Sequence, residues 1–192
     1  MQVRYSIKLS LQEYIEQEAW NQAYLDHCPF HPEGGCGLAR HGFYARKLPE
    51  YCLIARYYCP KGHTTIGLIP DFFCSRLPGT LDEVEHAVNV AQESKSQEEA
   101  AEKLRPEITL TSALRWLRRR IRYVREALTT AAGLFTPGCH PDLKSFRQWL
   151  SSNRVLFKLR RSVSDFLQHL PPVVGFGPRI TSRYFNEFHL QQ

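Results

Sequence analysis

The chain lacks any run approaching about 18 uninterrupted apolar residues, so no transmembrane helix is expected. Its start, Met1-Gln2-Val3-Arg4-Tyr5-Ser6, has no apolar h-region, which argues against secretion and for a cytoplasmic protein. There is no internal repeat and no low-complexity tract. A solenoid is therefore not the expected plan, and 43% hydrophobic residues make disorder an unsuitable default. Acidic residues are scarce in one half. Residues 103–192 hold 16 basic and 5 acidic side chains, net +11, whereas residues 1–102 hold 9 basic and 14 acidic, net −5. A basic half of that size favours a polyanionic partner. No Ser/His/Asp set or carboxylate pair stands out, so the chain is not expected to be an enzyme. Its 192 residues can bury a core without disulfides. Six cysteines in a cytoplasmic chain are better read by their spacing than as three bridges.

Local signals divide the chain into four parts. Ser10 and Glu13 form a capping-box pattern for a helix over 6–25, giving an N-terminal helical part, 1–25. Residues 26–36 are turn-rich. Leu38 to Leu48 and Cys52 to Tyr58 read as a β-hairpin around Pro49-Glu50, and Thr64 to Ile69 as a third strand. These make up a second part, 26–78. Pro78-Gly79 marks a boundary, and Thr80 with Glu83 starts an acidic helix over about 81–93. A short helix over about 97–104 follows, then the strongest helix of the chain, from Thr109 or Thr111 to about 131, closing a third part, 79–132. The rest, 133–192, predicts a loop from Gly133 to Pro141, helices over 142–150 and 153–169, and an irregular tail. The expected class is α+β, mostly α.

Two Cys-Pro dipeptides, Cys28-Pro29 and Cys59-Pro60, flank the hairpin. Zinc ribbons use two such knuckles, tight turns whose amides point at thiolate sulfurs, brought together by a hairpin. Cys59 and His63 form a C-x3-H pair in a turn containing Gly62. In the first knuckle Cys28 has two candidate mates: Cys36, followed by Gly37, or His31 in C-x2-H spacing. The preferred set is Cys28, Cys36, Cys59 and His63, with His31 as the alternative to Cys36 and His27 and His41 as weaker rivals. Free core cysteines would be the plainer explanation. A zinc ion here would be structural, since no paired glutamate base is at hand. Cys52, Cys74 and Cys139 have no partner pattern and read as buried or incidental thiols. The hairpin also interleaves basic and aromatic residues, and Arg40, Arg46 and Lys47 are candidate contacts to a nucleic-acid backbone, although alternation in a small sheet looks the same.

From Leu110 the apolar stripe Leu110, Leu114, Leu117, Ile121, Val124 and Leu128 recurs at helical spacing. The other faces carry Arg115, Arg118, Arg119, Arg120, Arg122 and Arg125, with Glu126 as the sole acid. Like charges three and four residues apart cost up to about half a kcal/mol per pair, and a bound anion would relieve that. With the helix over 97–104 and a turn at Pro106 to Thr109, the segment fits a helix-turn-helix. Thr109, Thr111 and Ser112 would then open the recognition helix, and sequence preference would lie with Thr111, Ser112 and Arg115. Arg115, Arg118, Arg119 and Arg122 would supply mostly affinity through phosphates, with Arg125 a further candidate contact. Duplex DNA is the preferred partner. RNA and an acidic protein are alternatives, and so is the chain's own acidic stretch, 81–102. Lys144, Arg147, Arg154, Lys158, Arg160 and Arg161 extend the positive field.

Cys28-Pro29, Cys36-Gly37, the run Ala39-Arg40-His41-Gly42-Phe43-Tyr44-Ala45-Arg46 and the stretch from Ala55 to His63 resemble the N-terminal zinc ribbon of bacterial insertion-sequence transposases. Residues 28–128 also resemble an uncharacterised family of bacterial zinc-ribbon proteins associated with mobile elements. The resemblance implies a ribbon followed by a helix-turn-helix, recognition of DNA ends, a bacterial setting, and a transposase or other assembly protein as a further partner. It stops short of strand-transfer chemistry. After residue 103 the acids are Glu107, Glu126, Asp142, Asp165 and Glu187, and no carboxylate trio on a sheet is readable. An accessory or regulatory DNA-binding protein is the expectation.

Overall fold

A computed structural model describes residues 1–135 and 138–176. Four strands form one sheet in the order β1-β4-β3-β2. Strand β1 (Gln2–Tyr5) lies parallel to β4 (Thr64–Pro70), with Gln2 opposite Gly67. Strands β2 (Ala39–Arg46) and β3 (Cys52–Cys59) form the expected antiparallel hairpin, with a register shift between Arg40 and Phe43. The third expected strand is β4, antiparallel to β3. A Cβ on Gly67 would lie 2.9 Å from the Tyr44 ring, so glycine lets that ring cross the sheet.

The N-terminal part departs from the expected helix over 6–25. Only Leu11–Glu16 is α-helix (α1), with the Ser10/Glu13 capping box in place. Glu18 takes a left-handed conformation (φ 45°), which ends the α-helix, and a 3₁₀ turn over Ala19–Asn21 follows. The residues ahead of it join the sheet, where Arg4 holds the buried Asp71 through Nε–Oδ1 at 2.5 Å. A four-residue strand buried by partners far along the chain leaves little periodic signal.

Five further helices follow: α2 (Leu81–Glu93), α3 (Gln97–Leu104), α4 (Leu110–Phe135), α5 (Leu143–Leu150) and α6 (Val155–Ser162). Thr80, Ser96 and Asp142 cap α2, α3 and α5 through their side-chain oxygens. Helix α4 runs four residues beyond the expected end, to Phe135, because Ala127, Leu128, Ala131 and Ala132 continue its buried stripe. Helix α6 stops at Ser162, short of the expected 169. The chain turns at Val163 and comes back, so that Val173 pairs with Ser75. The irregular tail expected after Pro171-Pro172, with Gly175-Phe176-Gly177-Pro178, lies outside the described residues from 177 onward, as do 136 and 137 of the expected loop.

Three apolar clusters result. The largest joins one end of the sheet to α2, α4, α5 and α6, and includes Tyr14, Phe73, Leu128, Phe146 and Leu159. A second, around β3, β4 and the loop ahead of β2, consists of Ala23, Cys28, Cys36, Ala55, Tyr57, Cys59, Ile66 and Leu68. The third binds α2, α3 and α4 through Ala87, Val90, Ala100, Ala101, Ala113 and Leu117. Small residues at that contact let the helices approach closely.

Between β4 and α2 runs an irregular segment, 71–79, which is almost wholly buried. Backbone amides meet Phe72 O (from Leu81, 2.8 Å), Ser75 O (from Val173, 3.3 Å) and Gly79 O (from Cys74, 3.1 Å), and other carbonyls need side-chain donors. Three arginines provide them. Arg46 of β2 donates to Leu77 O (2.7 Å), Cys74 O (3.2 Å) and Gly79 O (3.3 Å), with its guanidinium over the Phe73 ring. Arg120 of α4 donates to Pro78 O at 3.2 Å. Arg160 of α6, with no exposed surface, donates to Phe73 O (2.5 Å), Asp71 O (2.8 Å) and Val174 O (2.9 Å), and also to Val173 O. It therefore does not extend the positive surface as the sequence suggested. Burial pulls its pKa down to about 10, so it stays charged at neutral pH.

The same region is braced by the buried Glu85 of α2. Its carboxylate accepts from the amides of Val155 (3.1 Å) and Leu156 (3.0 Å), capping α6 from another element. Burial pushes its pKa up, while those amides and Arg147 pull it down.

Replacing Arg160 by Met takes the donor from the Asp71, Phe73 and Val174 carbonyls, while Val173 O keeps the Ser75 amide. The expected loss of unfolding free energy is about 3–5 kcal/mol, read as a shift in the urea midpoint. Lys158→Met, exposed on the same helix, is expected to change stability by no more than about 0.5 kcal/mol.

Candidate functional site

The stretch from His27 to Leu38 and the β3–β4 turn meet at the end of β3. Among the described residues they bring Cys28, His31, Cys36 and Cys59 together, with their ligand atoms all within 4.8 Å of one another. His31 Nδ1 lies 3.5 Å from Cys28 Sγ and 3.4 Å from Cys59 Sγ. In a tetrahedral site with metal–sulfur bonds of about 2.3 Å and metal–nitrogen bonds of about 2.0–2.1 Å, the nitrogen–sulfur edge is about 3.5 Å. The observed spacing fits that edge, so three thiols and one imidazole can hold a metal ion in four-coordinate geometry.

Local chemistry explains why these four converge. The His31 amide donates to Cys28 O at 3.1 Å, a turn that folds the imidazole back over the first thiol. The Gly62 amide donates to Cys59 Sγ at 3.2 Å, the knuckle contact expected at a thiolate. A Cβ on Gly62 would stand 3.3 Å from that sulfur and 3.6 Å from His31 Cε1, so the cradle has no room for a side chain. All three cysteines are buried. Burial alone would raise the Cys28 thiol. His31, the Phe30 amide and the neighbouring thiols outweigh it and bring the pKa to about 6, which favours the thiolate a metal requires. Cys59 is pushed up, by burial first and by the adjacent Cys28 and Cys36, with Gly62 opposing.

Both first-knuckle candidates, Cys36 and His31, enter the cluster, and His63 does not. His63 is exposed, at φ 44°, in a turn closed by its amide on Pro60 O at 3.2 Å. The sequence placed two ligands in each knuckle, whereas the structure places three before the hairpin and one after it. Cys28-x2-His31 was the signal for this, but spacing alone could not show that one loop would carry three ligands.

The nucleic-acid candidates divide by what their donors already do. Arg40 donates to Trp20 O (2.7 Å) and Asn21 O (2.9 Å) and lies over Phe43, so it ties β2 to the N-terminal part. Arg46 is taken up by the segment 71–79, while Lys47 is exposed. On α4, Thr111, Arg115, Arg118, Arg119, Arg122 and Arg125 are exposed and Ser112 is half-buried. Arg118 reaches Gln97 Oε1 (3.1 Å) and Glu98 (3.9 Å) on α3, and Arg122 reaches Glu126 (3.6 Å). Arg120 points inward, at 7% exposure. Within the acidic stretch 81–102, Asp82 pairs with Arg154 and Glu85 caps α6; only Glu98 meets an α4 arginine.

His31→Ala and Cys59→Ser are each expected to weaken metal binding by more than the roughly 100-fold seen on losing outer-shell partners, and His63→Ala to leave it unchanged. Competition with a chromogenic chelator measures this.

No helix among the described residues is long and apolar enough to cross a membrane. No family model, curated protein or solved structure matches this chain.

Proposed function

We propose that this chain is a zinc-braced DNA-binding protein, an accessory or regulatory factor of a bacterial mobile element without catalytic activity of its own. The observation that carries the reading is the outer face of α4. Five arginines within eleven residues, Arg115 to Arg125, stand exposed there, and among the described residues their ion pairs are with the exposed Glu98 and Glu126. Exposed pairs of that kind contribute little and exchange readily for phosphate. Zinc is the metal that suits three thiols and an imidazole in a closed, buried site.

A helix-turn-helix assignment draws support from the packing of α3 against α4 across the turn at 105–109, around Ala100, Ala101 and Ala113. In that arrangement Thr111 and Ser112 open the helix and reach base edges. Arg118, Arg122 and Arg125 hold the phosphates. The zinc keeps the ribbon folded, since its own cluster of eight buried residues includes three of the ligands.

The double variant Arg118→Ala plus Arg122→Ala is expected to weaken duplex binding and to reduce the slope of log K against log salt by about one unit per lost phosphate contact. An unchanged slope sinks the role of α4. Equal competition by structured RNA at the same ionic strength counts against duplex DNA.

A further inference from the structure

The arginine helix has a second side, which shares Ser112, Arg115 and Arg119 with the DNA reading. Where α4 faces α2 and the tip of the β2–β3 hairpin, an open cleft of about 760 Å³ lies over Trp116. Four guanidinium groups line it: Arg105, Arg115, Arg119 and Arg120. One carboxylate does, Glu83, and its Oε2 is already accepting from the Thr80 amide at 2.7 Å in the α2 cap. Leu48, Pro49, Leu77, Pro78 and Leu104 give the cleft apolar walls.

Arg120 is the group that most needs a partner. It is 7% exposed and makes no ion pair with any carboxylate among the described residues. Its support is two carbonyls, Trp116 O (3.3 Å) and Pro78 O (3.2 Å), and the Trp116 ring, whose centroid lies 3.8 Å from its guanidinium carbon. Burial lowers its pKa to about 10, so the cation persists in a desolvated place. Arg105 leans on the same indole at 5.2 Å and also pairs with Glu107. Arg115 and Arg119 reach the rim from the next turns of α4, and neither pairs with an acid among the described residues. Such an excess of positive charge suits an anion carrying two or more charges, and the planar fork of arginine suits phosphate oxygens. The volume lies within the range of small-molecule sites.

We infer that this cleft binds the di- or triphosphate group of a small phosphate ester, with Arg115, Arg119, Arg120 and Arg105 holding the phosphates and the apolar walls receiving the rest. The ester is either a free small molecule or the 5′-terminal phosphate end of a nucleic acid. The inference stands apart from duplex binding by Arg118 and Arg122.

Calorimetric titration of the full chain with sodium tripolyphosphate at fixed ionic strength tests it. Saturable binding is expected. Arg115→Gln plus Arg119→Gln, both exposed and so compatible with folding, is expected to weaken it by at least about tenfold. The variant Arg118→Ala plus Arg122→Ala is expected to leave it within about twofold. No saturable binding by the wild-type chain, or equal losses in the two double variants, overturns the site. Competition then assigns the source. Displacement by a 5′-triphosphorylated oligonucleotide but not by its 5′-hydroxyl form supports a nucleic-acid end. Displacement by a nucleoside triphosphate alone supports a free ester. Displacement by both oligonucleotides alike overturns the cleft in favour of general backbone attraction.

Discussion

A buried chain segment without regular structure must find donors for its carbonyl groups, and residues 71–79 impose that demand here. The sheet ends at Pro70 and α2 begins at Leu81. Between them the backbone crosses the interior, where an unpaired carbonyl would cost a lost hydrogen bond and more. Arg46, Arg120 and Arg160 come from the hairpin, the arginine helix and the last helix to meet it. Arg46 and Arg160 each meet several carbonyls from one planar group and Arg120 meets Pro78 O, so three side chains fix three elements against one stretch. Arg160 adds the carbonyls of Val173 and Val174, which anchors the returning chain after α6. Asp71, held by Arg4 and approached by Arg161 at 3.8 Å, adds one buried negative charge to this interior.

The cysteine-bearing end of the sheet faces a different problem. Its cluster has eight buried residues, two of them alanine and three the metal-type cysteines. Such a core is too small to hold the long loop from His27 to Leu38 in place by burial alone. A metal bound by Cys28, His31, Cys36 and Cys59 would close that loop onto β3 and replace missing apolar contact with coordination. The placement of three ligands in one loop follows from this, because the loop, rather than the hairpin, is the part in need of restraint. Arg40, donating to Trp20 and Asn21 carbonyls, carries that restraint to the N-terminal part.

Arginine thus has three uses in this chain, and composition does not separate them. Arg46, Arg120 and Arg160 hold carbonyls. Arg4, Arg147 and Arg154 meet the acids Asp71, Glu85 and Asp82. The remainder of α4 faces outward or lines the cleft over Trp116. A count of +11 for the second half therefore overstates the positive surface, since Arg160 is spent inside and Arg154 is paired. What remains is still concentrated on one helix, where it bears on a partner.

Much of the architecture was legible locally. Thr80 with Glu83 and Ser96 with Glu99 mark helix starts because a cap is a contact between near neighbours. The stripe from Leu114 to Leu128 marks α4, and the alternation from Cys52 to Cys59 marks β3, because each buries one face at a fixed period. The sequence by itself determined these elements, the candidate status of Cys28, Cys36 and Cys59, and the position of the arginine helix. It could not determine β1, whose burial comes from β4 over sixty residues away. Nor could it choose His31 over His63, since both have ligand spacing to a cysteine and only the folded loop brings one imidazole to 3.4 Å of Cys59. The sorting of arginines was likewise decided by tertiary structure alone. A guanidinium is buried, paired or free according to which carbonyls and carboxylates surround it, and those arrive from segments distant in the chain.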